Sequence, residues 1–94
     1  MTIHHKERED RGIFYIKGEN GILSELTYSL NNKDVMVIDH TETKVAQEGQ
    51  GLASKLVAHS VQYAKEHKLK INPLCPFAEV QFDRNPAYKE VLAQ

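Results

Sequence analysis

The apolar residues of this chain first change their period at Gly49-Gln50-Gly51. Before that point the pattern has the period of strands. Ile13-Phe14-Tyr15-Ile16-Lys17 is rich in aromatic and β-branched residues. Leu26, Tyr28 and Leu30 alternate with Glu25, Thr27 and Ser29, which predicts a strand with one buried face. Val35 to His40 forms a third strand, whose near-continuous apolar stretch predicts a central place covered on both faces. Gly18-Glu19-Asn20-Gly21 and Asn31-Asn32-Lys33-Asp34 are the turns between them, Asn being tolerant of the left-handed conformation a tight hairpin needs. After the glycines the spacing is helical from Gln50 to Lys68, with Leu52 and Leu56 a turn apart and Ala53, Val57, Val61 and Ala64 on a continuing stripe. His67 and Lys68 end that helix where its dipole favours cations.

Leu69-Lys70-Ile71 returns as a short strand, Pro76 starts a short helix, and Pro86 begins a last helical segment around residues 87–92. The order is β-β-β-α-β-α. Strand, long helix and returning strand make a right-handed crossover. The expected fold class is α/β (α+β): a mixed, mainly antiparallel sheet with one long helix and short C-terminal helices. The charged run Lys6-Glu7-Arg8-Glu9-Asp10-Arg11 is expected to fray or to form a solvated edge.

A chain of 94 residues is expected to form one domain, 1–94. With a net charge of −1 and no long basic run, nucleic acid is not an expected partner. The longest apolar run, Val35-Met36-Val37-Ile38, is too short to span a membrane, and the run from Met1 to Lys6 lacks the apolar core of a secretory signal. One cysteine, Cys75, leaves no internal disulfide and no zinc cluster, and the expected setting is cytoplasmic. His4 and His5 are expected on the surface, and no metal site is expected.

The glycines are where chemistry is expected. A helix start offers unpaired N–H groups and the positive end of its dipole, and missing Cβ atoms let an anion come close. Such a turn suits phosphate or pyrophosphate. An ATP-type loop would end in Gly-Lys-Ser or Gly-Lys-Thr, whereas here Ser54-Lys55 has no preceding glycine. A dinucleotide fingerprint would place glycine or alanine where Ser54 stands. Read alone, the two glycines favour a plain tight strand-to-helix turn.

A β-meander feeding Glu48-Gly49-Gln50-Gly51-Leu52-Ala53, then an amphipathic helix and a strand, resembles the acetyl-CoA-binding core of the GNAT-type N-acetyltransferases. Gly51 and Ala53 match the family's signature, while Glu48 stands where it has Gln or Arg and would repel pyrophosphate unless it points away. Asp39-His40-Thr41-Glu42, the glycine turn, Leu74-Cys75-Pro76-Phe77 and Asn85-Pro86-Ala87-Tyr88 together resemble a minimal GNAT-like subfamily over residues 13 to 92. The resemblance implies acetyl-CoA or CoA as co-substrate. Backbone near Thr41, Glu42 and Thr43 would run beside the pantetheine arm, and the amides of Gly49, Gln50, Gly51, Leu52 and Ala53 would hold the pyrophosphate.

Acetyl transfer to an amine needs a base and a proton for the departing thiolate. Relatives often supply that proton from a tyrosine, and Phe82 stands near that position, so Tyr88 or water would have to substitute. Cys75, as N-cap before Pro76, is a thiol that could accept acetyl, or a small buried core residue. His40 is a candidate base, or a core histidine sharing a face with Met36 and Ile38. Glu42 could orient a water or an amine, or be a solvated strand-end charge. Tyr88 is expected to pack, and His59 and His67 to face solvent. The expected function is acetyl-CoA-dependent N-acetylation of an unidentified amine acceptor, protein or small molecule, by a monomer. The alternative is a non-catalytic acetyl-CoA-binding module, a sensor or carrier.

Overall fold

A computed structural model describes residues 2–93. Five strands form one sheet in sequence order: β1 (His4–Arg8), β2 (Arg11–Gly18), β3 (Gly21–Asn31), β4 (Val35–Thr43) and β5 (Lys70–Pro73). The first four are antiparallel neighbours, and β5 runs parallel to β4 after the crossover through α1 (Leu52–Glu66). A short 3-10 turn (Val45–Gln47) precedes α1; α2 (Pro76–Arg84) and a 3-10 segment (Pro86–Val91) follow β5. The expected mixed, mainly antiparallel sheet with one long helix is the fold the chain adopts.

The core sits between the sheet and the helices. Phe14 and Ile16 of β2, Leu26 and Tyr28 of β3, Met36 and Ile38 of β4 and Ile71 of β5 meet Leu56, Val57 and Ala64 of α1 and Ala78 and Phe82 of α2. Alternation on the strands and the 3.6-residue period on α1 bring these residues to one face each. The whole measures 37 × 31 × 20 Å, and 20 Å has room for the sheet and one helical layer. Hence β4 is not covered on both faces as its apolar run predicts: Met36 and Ile38 are buried, whereas Val35 and Val37 are half-buried.

The charged N-terminal run is not frayed. It is the edge strand β1, paired residue by residue with β2 from His4↔Tyr15 to Arg8↔Arg11. Tyr28 fastens it. The fully buried Tyr28 side chain passes over Gly12, where a Cβ would lie 2.3 Å from the ring, and its hydroxyl donates to Glu7 Oε2 at 2.7 Å. That leaves the oxygen to accept from His5 Nε2, also at 2.7 Å. At the β3–β4 turn the left-handed residue is Asp34, with φ 61°. Asn31 Oδ1 closes the turn by accepting from the backbone of Lys33 and Val35.

Candidate functional site

Two departures from regular pairing build the site. The first is a bulge in β4. Tyr28 pairs with Ile38 and Thr27 with His40, so Asp39 is an extra residue held by the Thr27 hydroxyl at 2.6 Å. One extra residue turns every later side chain over. Thr41 and Thr43 therefore face inward, Thr43 bonded to Ser24 Oγ at 2.8 Å. His40 does not share a face with Met36 and Ile38, as plain alternation predicts. It is exposed, with Nε2 3.3 Å from Glu42 Oε1. Glu25, the cross-strand partner of Glu42, brings a third side chain to within 4.8 Å of these two. His40 and two carboxylates could thus hold a cation.

The second departure is a parting of strands. β4 and β5 pair only from Val35↔Lys70 to Ile38↔Pro73. Leu74 and Cys75 both donate their N–H to Ile38 O, and the chain then turns away into α2. The β5-side edge of residues 39–43 has no strand beside it among the described residues. An extended ligand can add to such an edge as a further strand would.

The opening leads into a cleft of about 480 Å³ between β4, the start of α1 and one face of α2. Thr41, Glu42, Thr43, Gly49, Gly51, Leu52 and Ala53 line it. Gln50, expected among them, does not. Glu48 also lines it. Gly49 and Gly51 have φ of 85° and 75°, and a Cβ built on either meets nothing within 4 Å. The turn thus needs glycine for its backbone, and the space in front of it is open. Gly51 caps α1 without a side-chain hydrogen bond, and the first helical bond runs from Lys55 N to Gly51 O. The amides of residues 52–54 are left without intrahelical acceptors.

Cys75 is the N-cap of α2, as its place before Pro76 predicts. It is buried, 7% exposed, behind Thr41, whose Oγ1 lies 3.3 Å from its Sγ. Burial opposes ionisation of this thiol. The Thr41 hydroxyl and the N–H groups of Ala78, Phe77 and Thr41 outweigh it, so the thiol lies below its ordinary value. Cys75 and His40 are not brought together, because they stand on opposite faces of β4. Tyr88 packs edge-on to the buried Phe82, 5.3 Å between centroids, and no tyrosine lines the cleft. His67 is exposed, stacked 3.9 Å from Tyr63, but His59 is half-buried against Phe14 rather than facing solvent.

The sequence reading did not place Gln47 and Ser54 in the site, nor the α2 wall of Phe77, Gln81 and Arg84. The spacing of i, i+4 and i+7 of Phe77, Gln81 and Arg84 marks one face of α2, beside the core face of Ala78 and Phe82. That spacing was the available signal.

Among the described residues, no helix is long and apolar enough to cross a membrane. A family model described as GCN5-related N-acetyl-transferase matches residues 13–91. The solution structure of a GCN5-like candidate N-acetyltransferase from Staphylococcus aureus is similar at 32% identity with a TM-score of 0.69, over 96% of this chain and 87% of that one. Two acetyltransferase structures containing acetyl-CoA share the fold. One, from Bacillus anthracis and described as a streptothricin acetyltransferase, matches at 18% identity and TM-score 0.61, over 82% of this chain and 46% of that one. The other, from Clostridium acetobutylicum, matches at 15% and 0.61, over 79% and 55%. This chain therefore spans about half the length of those two.

Proposed function

The chain belongs to the GCN5-related N-acetyltransferase family, and from that premise we propose that it transfers acetyl from acetyl-CoA to an amine acceptor. The observation that carries the reading is the cleft itself: an unpaired strand edge continuous with a helix start whose glycine turn is open in front. In this reading residues 1–94, the undescribed first and last included, act as one domain and as a monomer. The setting is cytoplasmic, in keeping with a single free thiol.

The pantetheine amides lie along the backbone of Thr41, Glu42 and Thr43 as an added strand. The diphosphate accepts from the amides of Gly49, Gln50, Gly51, Leu52 and Ala53, Gln50 contributing its backbone. Glu48 on the rim opposes this anion and keeps affinity moderate. The thioester then lies toward Thr41 and Cys75. The acceptor amine approaches from the outer face, where His40 removes its proton and Glu42 orients the imidazole. The amine nitrogen bonds to the thioester carbonyl carbon, the C–S bond breaks, and the CoA thiolate leaves with a proton. With no tyrosine on the cleft, Cys75 is the side chain we assign to the thioester end. It is either the donor of that proton or a thiolate that first accepts acetyl by thioester exchange.

Intact mass after incubation with acetyl-CoA, together with free-thiol release over a panel of amines, tests the reading. Acceptor-dependent thiol release supports it. An acetyl adduct lost in Cys75→Ala identifies the relay, and release without adduct identifies direct transfer. Binding with no release for any amine would leave a sensor or carrier and reject the enzyme.

A further inference from the structure

The cleft proposed for acetyl-CoA is poorly charged for such a ligand. CoA is a polyanion, yet the charged residues lining the cleft are Glu42, whose side chain turns to the outer face, Glu48 and Arg84. Arg84 is the one cation among these lining residues. The α1 amides also favour an anion, but only on their own wall. Arg84 stands on the facing wall, in the last turn of α2. The one ion pair among the described residues joins His40 to Glu42, so no carboxylate of the described residues holds the Arg84 guanidinium. A cation at a helix C-terminus is favoured by the dipole in any case. That preference explains a positive residue at this end of α2, but not why it shares a face with Phe77 and Gln81 and turns that face to the cleft.

Position along the ligand agrees. α2 begins at Cys75, beside the thioester end of the cleft. Nine residues of helix at about 1.5 Å each carry Arg84 roughly 13 Å further on. A pantetheine arm laid along α2 from Cys75 would bring its phosphates to that end of the helix. A guanidinium presents a rigid fork of donors that matches paired phosphate oxygens.

Resting on the acetyl-CoA reading of the cleft, we propose that Arg84 is its phosphate-recognition residue, the one cationic side chain on the cleft that can hold CoA. The phosphate is either the terminal 3′-phosphate or the diphosphate bridge.

Titrations of wild type, Arg84→Gln and Arg84→Lys with CoA and with 3′-dephospho-CoA separate the two, alongside thermal melting of each free protein. Arg84→Gln is expected to melt as wild type and to bind CoA about 10- to 100-fold more weakly. Arg84→Lys, which keeps the charge without the fork, is expected to lie between. Loss confined to CoA identifies the 3′-phosphate, and equal loss for both ligands identifies the diphosphate. In either case the dependence of affinity on salt is shallower in Arg84→Gln, which a purely structural role would not produce. Affinities unchanged in a folded Arg84→Gln overturn the proposal. Should wild type bind neither ligand, or bind without shifting the amides of residues 41–43 and 49–53, the acetyl-CoA reading itself fails.

Discussion

Gly51 is the residue whose backbone and surroundings make opposite demands on a substitution. Its φ of 75° disfavours any side chain, while nothing of the protein occupies the space a Cβ would take. Gly51→Val should cost about 1–2 kcal/mol of stability from the left-handed conformation alone. Gly51→Asn tolerates that conformation and should melt close to wild type. Both should weaken CoA binding, because each puts a side chain where the diphosphate approaches. An Asn variant that binds as tightly as wild type would remove the turn from the site. Cys75 is a second case of opposed effects, burial raising its thiol and the Thr41 hydroxyl and nearby N–H groups lowering it further. The pH profile of iodoacetamide labelling should therefore have its midpoint below that of an ordinary thiol, and Thr41→Val should move it upward. Bound CoA should slow labelling. A midpoint at the ordinary thiol value, unmoved by Thr41→Val, would return Cys75 to inert packing.

Elements meet the site through pairing irregularities rather than through regular structure. The extra residue Asp39 sends His40 and Glu42 outward and Thr41 and Thr43 inward, so one strand presents different chemistry to each face. β1 is fastened through the Tyr28 hydroxyl between Glu7 and His5, above the missing Cβ of Gly12. Gly12→Ala forces a methyl into the buried Tyr28 ring and should destabilise by about 1–3 kcal/mol. Hydrogen exchange should locate the damage in β1 and β2, with α1 retaining the larger share of its protection. Uniform loss of protection would show that β1 unfolds only with the whole.

At the scale of the molecule, stability should depend on pH through His5. Burial lowers its pKa most; His59 and His67 lower it further, and Glu7 opposes them. Around the imidazole stand Phe14 and Tyr28 from the sheet and Tyr63 from α1. A histidine with a folded pKa below its unfolded value of about 6.5 binds more protons when unfolded. Its stabilising contribution is complete above that pH and falls as pH drops through 6.5 toward the folded value. Melting temperature should decline from pH 7.5 to pH 5.5, and His5→Gln should flatten the decline. An equally steep decline in His5→Gln would assign the effect to other groups.

The period of the apolar residues, the turn residues, Pro76 and Pro86 determined which segments are strands and helices. They also determined that a glycine turn opens α1 and that Cys75 caps α2, because these depend on neighbours a few residues away. Position 51 needs a positive φ whatever packs around it, and Pro76 suits only a first helical turn. The same local signals said nothing of β1. Its charged residues carry no buried face, and it is a strand only because β2 offers a partner edge and Tyr28 a hydroxyl. The bulge was equally hidden. After Ile38 the run Asp39-His40-Thr41-Glu42-Thr43 has no apolar alternation from which a slip could be read, so the face of His40 depended on register with β3. Phe77, Gln81 and Arg84 had the spacing of a helix face, but which face meets a cleft is fixed by where α2 crosses the end of β5. Side-chain chemistry was local and legible; the sides on which those side chains stand depended on strand register and helix docking, which are long-range.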